Sequence, residues 1–134
     1  MRIMRKNSKI IYPDLSFKIN GILFKARKEL REFRNEKQYC DFIEKLLKDE
    51  NIQYEREKTL PPSFEGELNG RNKIDFLIED KIILEIKTEP FITKKDYYQV
   101  RRYLKASNKK LAILVNMKRY YINPKRILNS EIDE

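Results

Sequence analysis

Residues 73–89 read KIDFLIEDKIILEIKTE, and three charges stand inside the most strongly strand-forming part of the chain. Burying an unpaired charge is costly, so such residues usually stay at sheet edges or in water. The β-branched and aromatic residues around them predict two strands, over 73–79 and 82–87, joined by a tight turn. Their register decides where the charges go. A two-residue turn sets Asp75 opposite Ile86 and Phe76 opposite Glu85, which mixes charge and apolar surface on both faces. A three-residue loop of Glu79, Asp80 and Lys81 sets Asp75 opposite Glu85. One face then reads Ile74, Phe76, Ile78, Ile82, Leu84, Ile86; the other reads Asp75, Leu77, Ile83, Glu85, Lys87. A one-residue slip exchanges the faces, so hydrophobic sorting selects the second register. It brings two carboxylates and a lysine together on one face.

Adjacent carboxylates repel, which raises one pKa unless a cation neutralises them. A divalent ion does so, and hard ions take oxygen ligands. Bound Mg²⁺ can lower the pKa of a coordinated water and shield a phosphate. Lys87 points to the same side, where it can orient the water or stabilise charge on the phosphate. The competing reading is a solvated Glu–Lys pair on an open strand. Glu79 and Lys81 have the same spacing within the turn, so the triplet alone is weak.

The other chemistry open to the chain is narrow. It has no histidine and one cysteine, Cys40, which excludes histidine bases, catalytic triads, cysteine-cluster zinc sites and an internal disulfide. Its 134 residues suit one domain, 1–134. No apolar run is long enough for a membrane span, and the start, MRIMRKNSK, lacks the apolar stretch of a signal peptide. A cytoplasmic protein is expected.

The net charge is +9, and it is unevenly placed. Residues 94–126 hold eleven Lys or Arg and one acid, Asp96. Arg2, Arg5, Lys6 and Lys9 add charge at the start, and the final SEIDE reverses sign. Clustered positive charge suits a polyanion such as nucleic acid; a solvated basic surface is the plain alternative. Lys94, Lys95, Arg101, Arg102, Lys105, Lys109, Lys110 and Arg119 are the candidate phosphate contacts. Tyr97, Tyr98, Tyr103, Tyr120 and Tyr121 are interleaved with them. Such mixing can stack exposed bases, although half-buried core tyrosines give the same spacing.

Element signals complete the reading. Apolar spacing predicts helices over 12–33, 35–50 and 93–108. The first presents Leu15, Ile19, Ile22, Leu23, Ala26, Leu30 and Phe33, with Asp14 or Ser16 as cap; the second presents Tyr39, Cys40, Ile43, Leu46 and Leu47. Thr93 and Asp96 form a capping box for the third, whose inward stripe is Tyr97, Val100 and Leu104. Strands are expected over 52–58 and 109–117, and an edge-like one over 119–128 interrupted by Pro124. The order is two helices, a strand meander, a helix, then strands, and the class is α/β (α+β).

A helical Glu, an Asp on one strand and EIK on the next resemble the PD-(D/E)XK nuclease superfamily. ELREFRNEKQY, EREKTLP, IDFLIEDKIILEIKT, DYYQVRRYLKASNKKLAILVN and PKRIL look like the GxxExxY proteins within it. The resemblance covers about residues 15–128. It implies a restriction-endonuclease-like α-β-β-β-α-β core with a central mixed sheet and two N-terminal helices. Asp75 and Glu85 match the metal ligands, with the Ile86 carbonyl a further one, and Lys87 the catalytic lysine. Glu36 and Tyr39 match the Glu and Tyr of the family name, and Gln99 a glutamine in the following helix. Glu36 shares a helix face with Tyr39, Cys40 and Ile43, so it is expected to point inward. Phe33 and Arg31 stand where the family has glycines, and Ile74 where proline is common.

The implied function is a Mg²⁺-dependent nuclease acting on DNA or, second, RNA, with Mn²⁺ able to substitute. Two others stay open: a nuclease fold that grips nucleic acid without cutting, and a basic regulatory domain for an acidic protein. A homodimer that spans a duplex is also left open.

Overall fold

The computed structural model describes residues 10–130. The basic start and most of the acidic end therefore lie outside the described residues. The order is α1 (Pro13–Leu30), α2 (Glu36–Asp49), β1 (Tyr54–Thr59), β2 (Lys73–Ile78), β3 (Ile82–Lys87), α3 (Lys94–Ser107), β4 (Leu111–Asn116) and β5 (Lys125–Leu128). The strands form one sheet in the order β1-β2-β3-β4-β5. β3 and β4 run parallel through the α3 crossover, and every other pair is antiparallel. The sheet is mixed and the core order α-β-β-β-α-β, as expected. Pro124 precedes β5 rather than interrupting it. Among the described residues no helix is long and apolar enough to cross a membrane.

Two apolar clusters hold the layers together. α1 and α2 cover one face through Ile19, Ile22, Leu23, Tyr39, Ile43 and Leu47 against Phe76, Ile78, Leu84 and Ile86. α3 covers the other through Val100, Tyr103 and Leu104 against Leu77, Ile83, Ala112 and Leu114. The five inward residues expected on α2 are its buried ones. On α3 Tyr103 is buried, and Tyr97 only partly so.

The β2–β3 hairpin adopts the register with the three-residue turn: Phe76 pairs with Leu84, Leu77 with Ile83 and Ile78 with Ile82. Glu79 and Asp80 take φ values of 54° and 56° to close it. The ladder stops at Phe76–Leu84, and Asp75 and Glu85 occupy the next rung. On the other side, β1 skips the position opposite Asp75, where Glu57 has φ 52°. This lapse corrects one expectation: Ile74 packs in the α3-side cluster rather than with Phe76 and Ile78. Strict alternation holds only while the ladder is intact.

The helix ends differ from expectation once. Thr93 and Asp96 form the capping box of α3. α1, however, has Tyr12 at its N-cap with no side-chain bond, and Pro13 opens the helix. Ser16 is instead buried and accepts a 2.6 Å bond from Arg126 Nη1. Phe33, expected inward, lies past the helix and is exposed. α1 ends because Arg31 turns to φ 60°, ψ −150°, backbone that a side chain tolerates poorly and glycine readily. The buried Tyr39 hydroxyl donates to the Arg31 carbonyl and holds this turn. Arg31→Gly should therefore stabilise the fold. Relief of about 1–3 kcal/mol of strain outweighs about 0.5–1 kcal/mol of added unfolded-state freedom. Thermal melting should rise by about 3 °C; an equal or lower melting temperature would show that Arg31 is unstrained.

Candidate active site: a carboxylate pair at the open end of the hairpin

Where the β2–β3 ladder stops, side chains take over its hydrogen bonds. The Asp75 N–H donates to Glu85 Oε2 at 2.8 Å, and the Ile86 N–H donates to Asp75 Oδ2 at 2.7 Å. Each carboxylate thus accepts from main chain that a continuous ladder would have satisfied. Glu85 is 4 % exposed, which is rare for a glutamate without a cation on it. Burial pushes the Glu85 carboxyl well above its ordinary range, and the nearby Asp75 charge adds to this. Burial likewise raises Asp75 to about 6, with the Glu36 charge adding; the Ile86 N–H and the Lys87 charge oppose the rise. Two carboxylates placed this close repel each other, and a cation held between them would relieve the repulsion.

Lys87 follows on the same strand. Its Nζ lies 3.0 Å from Gln99 Oε1 on α3 and 3.8 Å from Asp96 Oδ1. Gln99 fixes the ammonium without neutralising it. Asp96 carries a second acid pair that the sequence offered only as a helix cap. Glu89 lies against Asp96, which raises Glu89 to about 7, with burial adding. Glu89 Oε2 is buried with no donor, so a proton held between the two acids accounts for the contact. Burial also pushes Asp96 up, but the bonds from Glu89 and from the Thr93 N–H, with the Lys87 charge, outweigh it and leave Asp96 below its ordinary range. Asn116 pairs with Lys87 across the parallel ladder. Its side chain clamps Glu89, donating to Glu89 O at 2.6 Å and accepting from its N–H at 3.1 Å. Asn116, Glu89 and Asp96 were not singled out for the site from sequence. The signal available was a polar residue ending the uniformly apolar run 111–115.

Glu36 requires a correction. It opens α2 and lies within hydrogen-bonding reach of Asp75, but it is exposed rather than inward-facing. The first turn leaves it at the mouth of the site, one turn above the buried Tyr39 and Cys40. The Cys40 thiol is pushed up by burial and then by the Asp75 and Glu36 charges. It stays protonated and does not serve as a nucleophile. Tyr103 is also buried beneath the site. Its phenol rises to about 12 through burial and the Glu85 charge, so it stays neutral.

The basic residues do not form one surface. Lys94 and Lys95 are exposed in the first turn of α3, beside Lys87 and its partner Asp96. Arg101, Arg102 and Lys105 line a cleft of about 360 Å³ with Tyr98 and Phe64. Lys109 is bound to Asp80 at 3.0 Å, at the turn end of the hairpin, and Lys110 lies at that same far end of the sheet. Arg119 stacks over Phe91, 5.9 Å from its centroid.

Among the described residues no group of three or more Asp, Glu, Cys or His side chains forms a ready-made ion cage. The donors present are two carboxylates and the adjacent main-chain carbonyl of Ile86, all hard oxygens. This set suits an ion that keeps several waters, as Mg²⁺ does, and the burial of Glu85 and half-burial of Asp75, which raise both carboxyl pKa values, support the fit. A family model of the PD-(D/E)XK nuclease superfamily matches residues 13–127. No curated protein and no solved structure matches the chain.

Proposed function

The chain belongs to the PD-(D/E)XK nuclease superfamily, and on that premise we propose that it is a Mg²⁺-dependent nuclease whose substrate is DNA. One observation carries the reading: buried Glu85 and half-buried Asp75 each accept a main-chain bond across the open end of the hairpin, next to Lys87, whose ammonium the Gln99 amide holds at 3.0 Å, with Asp96 farther off at 3.8 Å. Asp75, Glu85 and the Ile86 carbonyl are the residues that hold the ion, which supplies charge neutralisation and a more acidic water when bound. Lys87 stabilises charge building on the scissile phosphate and orients the attacking water. Gln99 positions Lys87. Glu36, at the mouth, accepts a proton or orients water entering the site. Within the superfamily, Glu36 and Tyr39 favour the GxxExxY proteins.

The placement of the lysines agrees with this assignment. Lys94 and Lys95 occupy the positive end of the α3 dipole, where cations are disfavoured by about 0.3–1 kcal/mol. A phosphate bound there turns that cost into attraction. Arg101, Arg102 and Lys105 continue the track along α3.

The test is a panel of single-stranded, double-stranded and branched DNA, and RNA, each with Mg²⁺, Mn²⁺ or EDTA. Cleavage is expected with either ion and not with EDTA. Tight DNA binding with no cleavage of any substrate would favour a non-cutting binding module instead. Replacing Arg101, Arg102 and Lys105 together with Ala should reduce the slope of log affinity against log salt by about 2–3, because each phosphate contact contributes about 0.7–0.9. An unchanged slope would show that these three do not touch phosphate.

A further inference from the structure

Beyond Lys87 the sheet opens into a second cleft, of about 620 Å³, lined in part by Phe91, Tyr97, Asn116, Arg119, Tyr121 and Lys125. It lies on the α3 side of the sheet, because Leu114 of that cluster also lines it. It adjoins the carboxylate site: Asn116 pairs with Lys87 across the ladder, a strand spacing of about 4.8 Å. Its volume is in the range of small-ligand pockets, about 300–1,000 Å³.

Its aromatic residues are placed for contact with something outside the chain. Phe91 is 69 % exposed and Tyr121 82 %, whereas Tyr103 is buried. Exposed aromatics are unremarkable one at a time; these share a cleft with Lys125 and with Arg119, whose guanidinium lies over one face of the Phe91 ring, 5.9 Å from its centroid. The turn that carries Tyr121 is also held firmly. Arg27 of α1, only 8 % exposed, donates from Nε to Arg119 O at 3.0 Å and from Nη2 to Tyr120 O at 3.3 Å. Its carboxylate partner is Glu32 at 3.1 Å. Burying a guanidinium is costly, and here it fixes the backbone of an exposed turn. Tyr120 meets Tyr121 edge-on, with centroids 4.6 Å apart, which further limits the ring.

We propose that this cleft receives an unpaired base of the substrate strand, stacked on Tyr121 and Phe91, with Arg119 and Lys125 on the flanking phosphates. Every base has a π-face, so the site is sequence-tolerant, and only an unstacked base can present that face. The inference rests on the nuclease reading and sharpens it: the substrate is single-stranded nucleic acid, or a strand with a base displaced beside the cut. Asn116 joins the two sites, since it lines the cleft and clamps Glu89, two residues past Lys87.

The experiment measures binding of labelled oligo-dT and oligo-U, and of a duplex of equal length, by anisotropy in EDTA. Wild type should prefer a single strand. Phe91→Ala/Tyr121→Ala should lose at least tenfold on it and under threefold on duplex, since each stacked base is lost on alanine substitution. Tyr121→Phe keeps the ring and should keep the affinity; Tyr121→Leu keeps bulk without it and should not. The chain has eight tyrosines and no tryptophan, so quenching of tyrosine emission by the oligomer, reduced in Tyr121→Phe, reports the contact directly. Equal binding of single strand and duplex, or full affinity in Tyr121→Leu, overturns the inference. The two oligomers differ in the 2′-hydroxyl and in the 5-methyl group of the base; ring-dependent binding of either supports the site. EDTA keeps binding separate from cleavage. A wild type that binds the strand but does not cut it in Mn²⁺ overturns the nuclease reading while supporting the cleft.

Discussion

Lys87→Ala should lower single-turnover cleavage by about a hundredfold or more and leave nucleic-acid affinity within about twofold. The two halves have different causes. Lys87 is one of 30 Lys and Arg residues, so it contributes little to long-range attraction. Its location is another matter: the Nζ lies 3.0 Å from Gln99 and follows Glu85 by two residues on one strand. The side chain is only 19 % exposed, so its charge acts where solvent screens it less. No histidine exists to replace it in proton or charge handling. Gln99→Ala should reduce the rate less, because Asp96, already 3.8 Å from the Lys87 Nζ, still holds the ammonium near the site. The comparison is single-turnover cleavage of one labelled substrate in Mn²⁺ by wild type, Lys87→Ala and Gln99→Ala. Equal rates for wild type and Lys87→Ala would place the activity at another site or in a contaminant.

Much of this arrangement is legible in the sequence because hydrophobic sorting is a strong constraint. Shifting β2 against β3 by one residue would set Asp75 against Ile86 and Phe76 against Glu85, mixing charge and apolar surface on both faces, so the register follows from the apolar pattern. The same logic gives the buried face of α2. What periodicity cannot report is hydrogen bonding between side chain and main chain. Ile74 changes cluster because Asp75 and Glu85 replace ladder bonds, and no count of apolar residues contains that event. Glu36 shares a face with Tyr39 and Cys40, but a face near the helix start includes solvent at its end. Lys109 belongs to the basic segment, yet the turn of the hairpin brings Asp80 to it from 29 residues away. The tyrosines divided in a way their spacing does not encode: Tyr103 is buried under Glu85, whereas Tyr120 and Tyr121 are held out by Arg27, more than 90 residues earlier. The glycine-like turn at Arg31 was visible only as a departure from the family pattern, and its cause is a backbone angle.

Asp75→Asn should stabilise the ion-free protein at pH 7.5 and abolish its response to Mg²⁺. The sign follows from the direction of the shift. Burial, with the Glu36 charge, raises the folded carboxyl from 3.8 to about 6. Between those values the native state binds more protons than the unfolded one, so stability falls as pH rises through the window. Above it the ionised group costs the fold about 3 kcal/mol, at 1.36 kcal/mol for each tenfold change in proton affinity. Glu85, raised in the same direction, adds to the trend. Ion-free wild type should therefore melt higher at pH 5.5 than at pH 7.5. Asparagine removes the charge and keeps an oxygen to accept from the Ile86 N–H, so the variant should melt about 5 °C or more above wild type in EDTA at pH 7.5. It should also be less sensitive to pH across that range. Mg²⁺ reverses the ranking through mass action: an ion bound only to the native state adds about 2.7 kcal/mol at a hundred times its Kd. Wild type gains this and Asp75→Asn does not. Glu85→Gln should behave alike, since either substitution leaves one carboxylate where two are needed. A variant that melts below wild type in EDTA would show that the carboxylates are not in conflict, and an Mg²⁺ shift equal in both would locate the ion elsewhere. Stability given up in the empty fold and recovered on ion binding is what a built cation site requires; a solvated Glu–Lys strand would show neither change.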